Sequence, residues 1–306
     1  MKASKLKKND IIGVCAPSGL LKDKHKENLK MAENRLKDLN LKVSYGKNLF
    51  ANSCGYSASV EEKVEDINDL INAPKVKAIA FAKGGSNANS ILDYIDYDGI
   101  KKNPKIFFGF SDNTVLLNAI YKKTGLITYH FTNFKGLFET EVEFNKEQFI
   151  DAFIKGYKGE LKQNTKWITI KEGIASGKLI GGNLGTIVKI LNTKYCPSFK
   201  NNILFIEDLS LEASIEEVSS LLYQLKMNRV FDQISGLLIG NYDTKEDFTL
   251  EDVVKEVTYE YTFPIIKCND FGHTGTNSVL PIGIKCTLDG YKCKLIFDEK
   301  TIKLGD

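Results

Sequence analysis

The sequence predicts an α/β protein whose first half is a mostly parallel sheet covered by helices on both faces. Strand and helix patterns alternate through the first 155 residues, as expected for parallel strands joined by helical crossovers. The chain has 306 residues, is 42% hydrophobic and 26% charged, and is long enough for two hydrophobic cores. A polar, glycine-punctuated stretch at residues 161–177 then predicts a linker and a second folded block.

Apolar runs and helical periodicity define the elements of the first half. A buried strand is expected at residues 11–16, followed by helical periodicity over residues 24–39. Ser59 and Glu62 have the spacing of a capping box, so a helix is expected from there to about residue 72. Further strands are predicted at residues 41–45, 76–82 and 105–108, and further helices at 87–94 and 115–121.

The second half has its own set of strands and helices. With residues 161–177 as a linker, the expected domains are residues 1–160 and 178–306. In the second domain, helices are predicted at 184–191 and 213–227, strands at 203–206, 234–239 and 265–266, and a hairpin around 288–291.

Charge and composition exclude several classes of protein. The formal net charge is +3 and arginine is limited to Arg35 and Arg229, so nucleic-acid binding is not expected. No run approaches the roughly 20 apolar residues of a membrane span, and the charged first ten residues lack a signal-peptide core.

Six scattered cysteines without a C-x-x-C pair favour reduced thiols in a cytoplasmic protein. The three histidines lack suitably spaced partners, so a metal site is not expected.

Residues 109–114, with the sequence GFSDNT, join a buried strand to a helix. A serine in such a turn lies beside backbone N–H groups that can stabilise an oxyanion after the hydroxyl attacks a carbonyl. The motif resembles the nucleophile elbow of α/β hydrolases, except that Asn113 replaces the glycine. From these residues alone, Ser111 is also consistent with an ordinary helix N-cap, and Asp112 with a first-turn acid.

Two further candidates follow Ser111 in chain order. Glu207 ends an apolar strand, and His273 lies in a glycine-rich loop. The order serine, glutamate, histidine suits an acyl-transfer triad of nucleophile, orienting acid and base. Solvent-facing positions for both residues are the alternative, and His130, which has aromatic neighbours, is a rival base.

The glycine pair Gly84-Gly85 follows the strand at residues 76–82, at the same edge of the predicted sheet as Ser111. Glycines there would let backbone N–H groups approach a substrate oxygen, although a plain turn is the alternative. The segment matches neither a phosphate-binding loop nor a dinucleotide-binding fingerprint. Anion binding at these positions would also suit a small-molecule binding protein without catalytic activity.

Four motifs in order resemble the LD-carboxypeptidase family of serine peptidases, which includes the microcin C self-immunity proteins. They are GFSDNT at residues 109–114, GGNL at 181–184, ILFIED at 203–208, and FGH with LPIG within 271–283. The resemblance extends from residue 11 to about residue 283. It implies an N-terminal Rossmann-like or flavodoxin-like domain that carries the nucleophile, a C-terminal β-rich domain, and a homodimer.

The same resemblance implies roles for individual residues. Ser111 would be the nucleophile, His273 the general base and acid, and Glu207 the residue that orients His273. The backbone N–H groups of Gly85 and Asp112 would form the oxyanion hole, and no metal or organic cofactor is implied. Substrate contacts are expected from Lys83, Gly84, Asn183, Asn277 and Trp167.

Two substrate classes remain open within this family. The turn at residues 83–89 favours the microcin-immunity branch, which cleaves the amide between an aminoacyl group and a nucleotide phosphoramidate. Asn277 is more similar to the branch that removes a terminal D-alanine in peptidoglycan recycling. Trp167 would either stack on a nucleotide base or anchor the linker by packing. The expected enzyme is a serine-type carboxypeptidase or amidase, with the aminoacyl nucleotide favoured over the muropeptide.

Overall fold

The computed structural model describes residues 1–140, 142–211, 213–242 and 248–304. The strands are β1 (Ile11–Cys15), β2 (Lys42–Tyr45), β3 (Val76–Phe81), β4 (Ile106–Gly109), β5 (Thr128–His130), β6 (Gly159–Glu160), β7 (Ile168–Lys171), β8 (Ile174–Asn183), β9 (Ile203–Glu207), β10 (Gly236–Ile239), β11 (Ile265–Lys267), β12 (Leu280–Ile282), β13 (Lys285–Asp289) and β14 (Lys294–Phe297). The α-helices are α1 (Lys26–Asp38), α2 (Val60–Asn72), α3 (Tyr97–Lys102), α4 (Thr114–Thr124), α5 (Val142–Phe149), α6 (Leu184–Ile187), α7 (Ile215–Met227) and α8 (Leu250–Val257). Within the described ranges, none of these helices has the length and apolar character needed to cross a membrane.

The first sheet has six strands in the order β12-β5-β4-β3-β1-β2. Strands β1 to β5 are parallel, which confirms the predicted parallel sheet. Nearly every residue of β1, β3 and β4 is buried, as expected for strands that helices cover on both faces. The edge strand β12 comes from the C-terminal half of the chain and pairs antiparallel with β5.

The second sheet has eight strands in the order β6-β14-β13-β8-β9-β10-β11-β7. Its centre, β8 to β11, is parallel, and the flanking strands pair antiparallel. Strand β7 and the beginning of β8 lie within residues 161–177, the predicted linker, so this segment contributes to the second sheet. Since β12 belongs to the first sheet, the chain passes between the two units more than once; the domain bounds 1–160 and 178–306 stay a prediction.

Local sequence signals predict α1, α2, α4 and α7, which the structure confirms. Ser59 and Glu62 form the predicted capping box at the start of α2. The predicted helix at residues 87–94 is instead a 3-10 helix, Ala88–Tyr94. The hydroxyl of Ser90 donates to the carbonyl of Asn87 at 2.8 Å and so competes with the α-helical pattern. The predicted helix at 184–191 is likewise divided into α6 and a 3-10 turn, Val188–Ile190.

Helix α4 of the first unit packs on strand β8 of the second. The N–H of Asn183 donates to the hydroxyl of Thr114 at 3.1 Å, and the amide of Asn118 donates to the carbonyl of Gly181 at 2.8 Å. Gly182 has a φ of +139°, and a Cβ there would lie 2.5 Å from the Thr114 side chain, so this approach requires glycine. These contacts bring the carboxyl end of β4 next to the carboxyl ends of β8 and β9.

Candidate active site

Ser111 lies in the turn between β4 and α4 with a φ of +61°. This left-handed conformation is costly for a residue with a side chain and persists only where the surrounding structure enforces it. Asn133 provides that constraint, because its side-chain oxygen accepts the N–H of Phe110 at 3.2 Å and the amide of Asn113 at 2.9 Å. The amide of Asn113 also donates to the carbonyl of Lys83 at 3.1 Å. The turn is therefore a strained strand-to-helix corner of the nucleophile-elbow kind, which Asn113 reinforces.

The glycine pair after β3 packs directly against this turn. A Cβ atom on Gly84 would lie 2.9 Å from both Cβ and Oγ of Ser111. A Cβ atom on Gly85 would lie 2.6 Å from Oγ of Ser18. Real Cβ atoms do not approach other atoms this closely, so only glycine allows the segment to occupy this position. The backbone of the glycine pair thus lies beside the Ser111 side chain.

His273 and Glu207 form a hydrogen-bonded pair. Nδ1 of His273 lies 2.7 Å from Oε2 of Glu207, whose side chain is fully buried at the end of β9. Because a carboxylate only accepts hydrogen bonds, we infer that Nδ1 carries the proton, and this tautomer makes Nε2 the basic nitrogen. Gly272 has a φ of +106°, and a Cβ there would lie 2.9 Å from the Glu207 side chain. The contact therefore depends on a glycine directly before the histidine.

A single cavity brings these groups together. It has a volume of about 480 Å³, and Ser111, His273 and both members of the glycine pair line it. The ring of His273 lies 4.8 Å, centroid to centroid, from the ring of Phe110, the residue before Ser111. The cavity is thus bordered by the predicted nucleophile, the predicted base and the predicted oxyanion segment, with Glu207 behind the histidine.

The rest of the cavity wall is polar. Lys83 and Lys135 contribute cationic side chains, Glu139 an anionic one, and Asn277 an amide. The side-chain oxygen of Asn277 is buried and has no hydrogen-bond partner within the described part of the chain. Because this oxygen has almost no accessible surface, it lies beneath the cavity wall and is not exposed to the cavity. The described residues contain no cluster of histidine, cysteine and acidic side chains suited to a metal ion.

Two of the expected substrate contacts lie outside the cavity lining. Trp167 is 4% exposed, and its indole N–H donates to Oδ2 of Asp270 at 2.7 Å. Asn183 is the N-cap of α6, where its oxygen accepts the N–H of Thr186 at 3.0 Å and its amide donates to Asp208 at 3.1 Å. Trp167 therefore packs and Asn183 caps a helix, and neither position supports a direct contact with substrate.

His130, the rival base, is fully buried among aromatic rings. The ring centroids of Phe110, Phe205 and Phe271 lie 5.9, 5.4 and 6.0 Å from that of His130. Burial, with the neighbouring His273 as the smaller cause, lowers the pKa of His130 to about 3. His130 is also absent from the residues that line the cavity. A histidine this weakly basic and this enclosed is a poor candidate for the general base.

Three residues beyond the predicted site residues support the site: Asn133, Ser18 and Lys189. Asn133 follows β5, so the rule that polar residues gather at the carboxyl ends of parallel strands would have found it. The carboxylate of Asp112 accepts hydrogen bonds from Oγ of Ser18 at 2.5 Å and from Nζ of Lys189 at 2.9 Å. No local pattern marks Lys189, because it lies 77 residues from Asp112 in the chain.

Family models match most of the chain. The LD-carboxypeptidase N-terminal domain matches residues 12–131, and the LD-carboxypeptidase C-terminal domain matches residues 176–288. The microcin C7 self-immunity protein of Escherichia coli is 31% identical over 82% of this chain and 80% of its own length. A Bacillus subtilis protein named "Probable murein peptide carboxypeptidase" is 30% identical over 94% of this chain and 91% of its own length.

A solved structure has the same fold. The microcin C7 self-immunity protein in complex with glutamyl sulfamoyl guanosine matches with a TM-score of 0.91 at 28% identity, over 99% of each chain. The two family models together include Ser111, Glu207 and His273. The chain therefore belongs to the LD-carboxypeptidase family and is a hydrolase of the serine-type carboxypeptidase class.

Proposed function

We propose that this enzyme hydrolyses an amide bond through the triad Ser111, Glu207 and His273. The observation that carries the proposal is the 2.7 Å contact between His273 and Glu207 beside a cavity that Ser111 also lines. A buried carboxylate behind a histidine holds the imidazole in one tautomer and stabilises the imidazolium that forms when the ring accepts a proton. The strained turn at Ser111 supports the assignment, because backbone strain of this kind is concentrated at functional sites.

The proposed reaction has two steps. The Ser111 hydroxyl attacks the carbonyl carbon of the scissile amide, and Nε2 of His273 accepts the hydroxyl proton. The tetrahedral oxyanion is stabilised by the backbone N–H groups of Gly85 and Asp112, which together contribute several kcal/mol if each is worth about 3 kcal/mol. His273 then protonates the departing amine, and a water molecule, activated by the same nitrogen, hydrolyses the acyl-enzyme.

The favoured substrate is an aminoacyl group joined to a nucleotide by a phosphoramidate. Lys83 and Lys135 on the cavity wall complement the negative charge of such a phosphoryl group, and Glu139 complements the ammonium of the aminoacyl part. A relative of the same fold binds glutamyl sulfamoyl guanosine, which also joins an aminoacyl group to a nucleoside. Charge complementarity and this likeness both support the proposal.

The second candidate is removal of a terminal D-alanine from a muropeptide. Lys83 and Lys135 on the cavity wall would bind the terminal carboxylate of such a substrate, and Asn277 also lines the cavity. The burial of Trp167 also disfavours it as an aromatic platform for a nucleotide base. The Bacillus subtilis relative named for murein peptides supports this alternative.

A substrate panel followed by mass spectrometry distinguishes these candidates. The panel contains an aspartyl- and a glutamyl-sulfamoyl adenosine and tetrapeptides that end in L-Lys-D-Ala or diaminopimelate-D-Ala, with Ser111→Ala as the inactive control. Cleavage of the adenosine compounds alone supports the favoured substrate, and release of D-alanine alone supports the second. If the wild type cleaves none of them and a fluorophosphonate probe does not label Ser111, the proposed triad mechanism is wrong.

The proposal also includes a homodimer located in the cytoplasm. The family resemblance supports the dimer, and the reduced state expected for the scattered cysteines supports the location. Light scattering coupled to size-exclusion chromatography measures the first, and fractionation of the producing cells measures the second. A monomeric mass at micromolar concentration, or recovery outside the cytoplasmic fraction, would contradict the respective part.

A further inference from the structure

Lys189 connects the second unit to the segment that contains the glycine pair. It lies in the 3-10 turn Val188–Ile190, directly after α6. Its Nζ atom donates to Oδ1 of Asp112 at 2.9 Å and to the carbonyl oxygen of Ser86 at 3.2 Å. Asp112 follows Ser111, and Ser86 follows Gly85. One ammonium group therefore contacts the side chain of one proposed oxyanion donor residue, Asp112, and the residue that follows the other, Gly85.

The carboxylate of Asp112 holds two further segments. Its Oδ2 atom accepts hydrogen bonds from Oγ of Ser18 at 2.5 Å and from the backbone N–H of Ala88 at 2.7 Å. The side chain of Asp112 is 1% exposed, so these interactions are made in an environment that solvent screens little. The loop after β1, the loop after β3 and the nucleophile turn are thus joined at one carboxylate.

The segment from Gly84 to Ala88 is consequently fixed at three points. The carbonyl of Gly84 accepts the N–H of Gly19 at 3.1 Å, the carbonyl of Ser86 accepts Lys189, and the N–H of Ala88 donates to Asp112. Gly85 lies between the first two points. Since glycines have unusually free backbone torsions, the direction of the N–H of Gly85 depends on these attachments rather than on its own conformational preference.

We propose that Lys189 is a positioning residue that orients the oxyanion-stabilising N–H of Gly85 through Asp112 and Ser86. The inference rests on the proposed function and adds to it a requirement for the second unit. The second unit supplies Glu207 and His273. Through Lys189 it also fixes the position of the segment from Gly84 to Ala88, which lies opposite them. Without Lys189, the buried carboxylate of Asp112 loses its one cationic contact among the described residues. The carbonyl of Ser86 also loses a hydrogen-bond donor.

The full-length protein tests this with Lys189→Met, Lys189→Arg and a control, Lys194→Met. Lys194 is an exposed lysine close in the chain that pairs with Asp93, and it does not line the cavity. The measurements are kcat and KM for the cleaved substrate, the rate at which a fluorophosphonate labels Ser111, and the melting temperature. We expect Lys189→Met to lower kcat and the labelling rate at least about tenfold with KM within about twofold. Lys189→Arg should restore most of both, and Lys194→Met should match the wild type.

A purely structural ion pair would behave differently. In that case Lys189→Met would lower the melting temperature and leave kcat and the labelling rate at wild-type values, which would overturn the inference. If the Met variant does not fold, Lys189→Gln replaces it, because an amide keeps one donor and removes the charge. If the wild type is labelled at Ser111 and yet cleaves nothing in the panel, the labelling rates of the Lys189 variants, compared with that of the wild type, still test the role of Lys189. A wild type that is neither labelled nor active overturns the proposed function itself.

Discussion

His273 and Glu207 are 66 residues apart in the chain, and Nδ1 of the first lies 2.7 Å from Oε2 of the second. Strand β9 ends at Glu207, and the positive φ of Gly272 turns the histidine loop back towards it. Because the Glu207 side chain is fully buried, solvent and salt screen this contact less than they screen a surface pair. The buried contact holds the imidazole in a fixed orientation, which leads directly to the first prediction.

Glu207→Gln should lower kcat about 10²- to 10⁴-fold and change KM less than about threefold. The amide has the size of the carboxylate, but it cannot stabilise the imidazolium and it permits the wrong tautomer. Steady-state kinetics on the cleaved substrate measure both constants, with the exposed Glu216→Gln on α7 as the control. A variant with an altered KM and an unchanged kcat would show that Glu207 binds substrate and does not orient His273.

Ser111→Ala should abolish hydrolysis, by about 10⁴-fold or more, and leave the fold intact. Ser111→Gly should be equally inactive, but its free energy of unfolding should exceed that of Ser111→Ala by about 1 kcal/mol, because glycine adopts the φ of +61° without strain. Urea denaturation monitored by circular dichroism compares the two variants. Equal stabilities would mean that the turn relaxes when the side chain is shortened, and turnover by either variant would refute the nucleophile assignment.

Gly84→Ala should lower kcat about 10²-fold, because the new Cβ atom would lie 2.9 Å from Oγ of Ser111 and displace it. Gly136→Ala is the matched control, since Gly136 also lines the cavity and a Cβ there would meet only Glu139 at an ordinary 3.6 Å. Parallel kinetics on the two variants give the comparison. Similar activities for both would show that the Ser111 side chain does not depend on the close approach of Gly84.

His130→Leu should keep substantial turnover and should resist acid better than the wild type. The usual histidine pKa of about 6.5 falls to about 3 in the folded protein. Between these values the unfolded chain binds a proton at His130 that the folded chain does not, so the contribution of His130 to the free energy of unfolding is greatest above pH 6.5 and is lost as the pH falls. The loss attributable to His130 is about 2 to 3 kcal/mol between pH 6.5 and pH 4.5.

Urea denaturation of both proteins at several pH values checks this prediction. The difference in the free energy of unfolding between His130→Leu and the wild type should move in favour of the variant as the pH falls. A pH-independent difference would mean that His130 is solvated or protonated in the folded state. Loss of turnover in His130→Leu at unchanged stability, with activity retained by His273→Ala, would instead make His130 the base.

Trp167→Phe should lower the free energy of unfolding by about 1 to 3 kcal/mol and leave KM within about twofold. The indole N–H donates to buried Asp270, and phenylalanine leaves that acceptor with one donor fewer. Denaturation and kinetics on an aminoacyl-sulfamoyl adenosine measure the two effects. A large increase in KM without loss of stability would indicate that Trp167 stacks on the nucleotide base after all.

Much of this fold follows from short stretches of sequence. The apolar runs that become β1, β3 and β4 and the capping box before α2 are recognisable because periodicity and capping act within a few residues. The position of Ser111 at the end of a strand is visible for the same reason. Its positive φ is not, because Asn133, which holds the turn, lies 20 or more residues away.

The strands that cross between the two units were also not predictable from local patterns. β12 is only three residues long, and its place beside β5 is decided by the packing of the two units. The roles of Asn183 and Trp167 were likewise not predictable from local patterns. Their residue types suit either a ligand contact or a structural contact, and only their partners, Asp208 and Asp270, distinguish the two.

The sequence by itself determined the family, the parallel sheet, and the residue types available for chemistry at Ser111, Glu207 and His273. The tertiary structure decided which of these groups meet, that Glu207 is buried behind His273, and that Lys189 reaches Asp112 and Ser86. The physical reason is the range of the interactions. Hydrophobic periodicity and helix capping are encoded within one element, whereas a hydrogen bond between distant residues depends on how all the intervening elements pack.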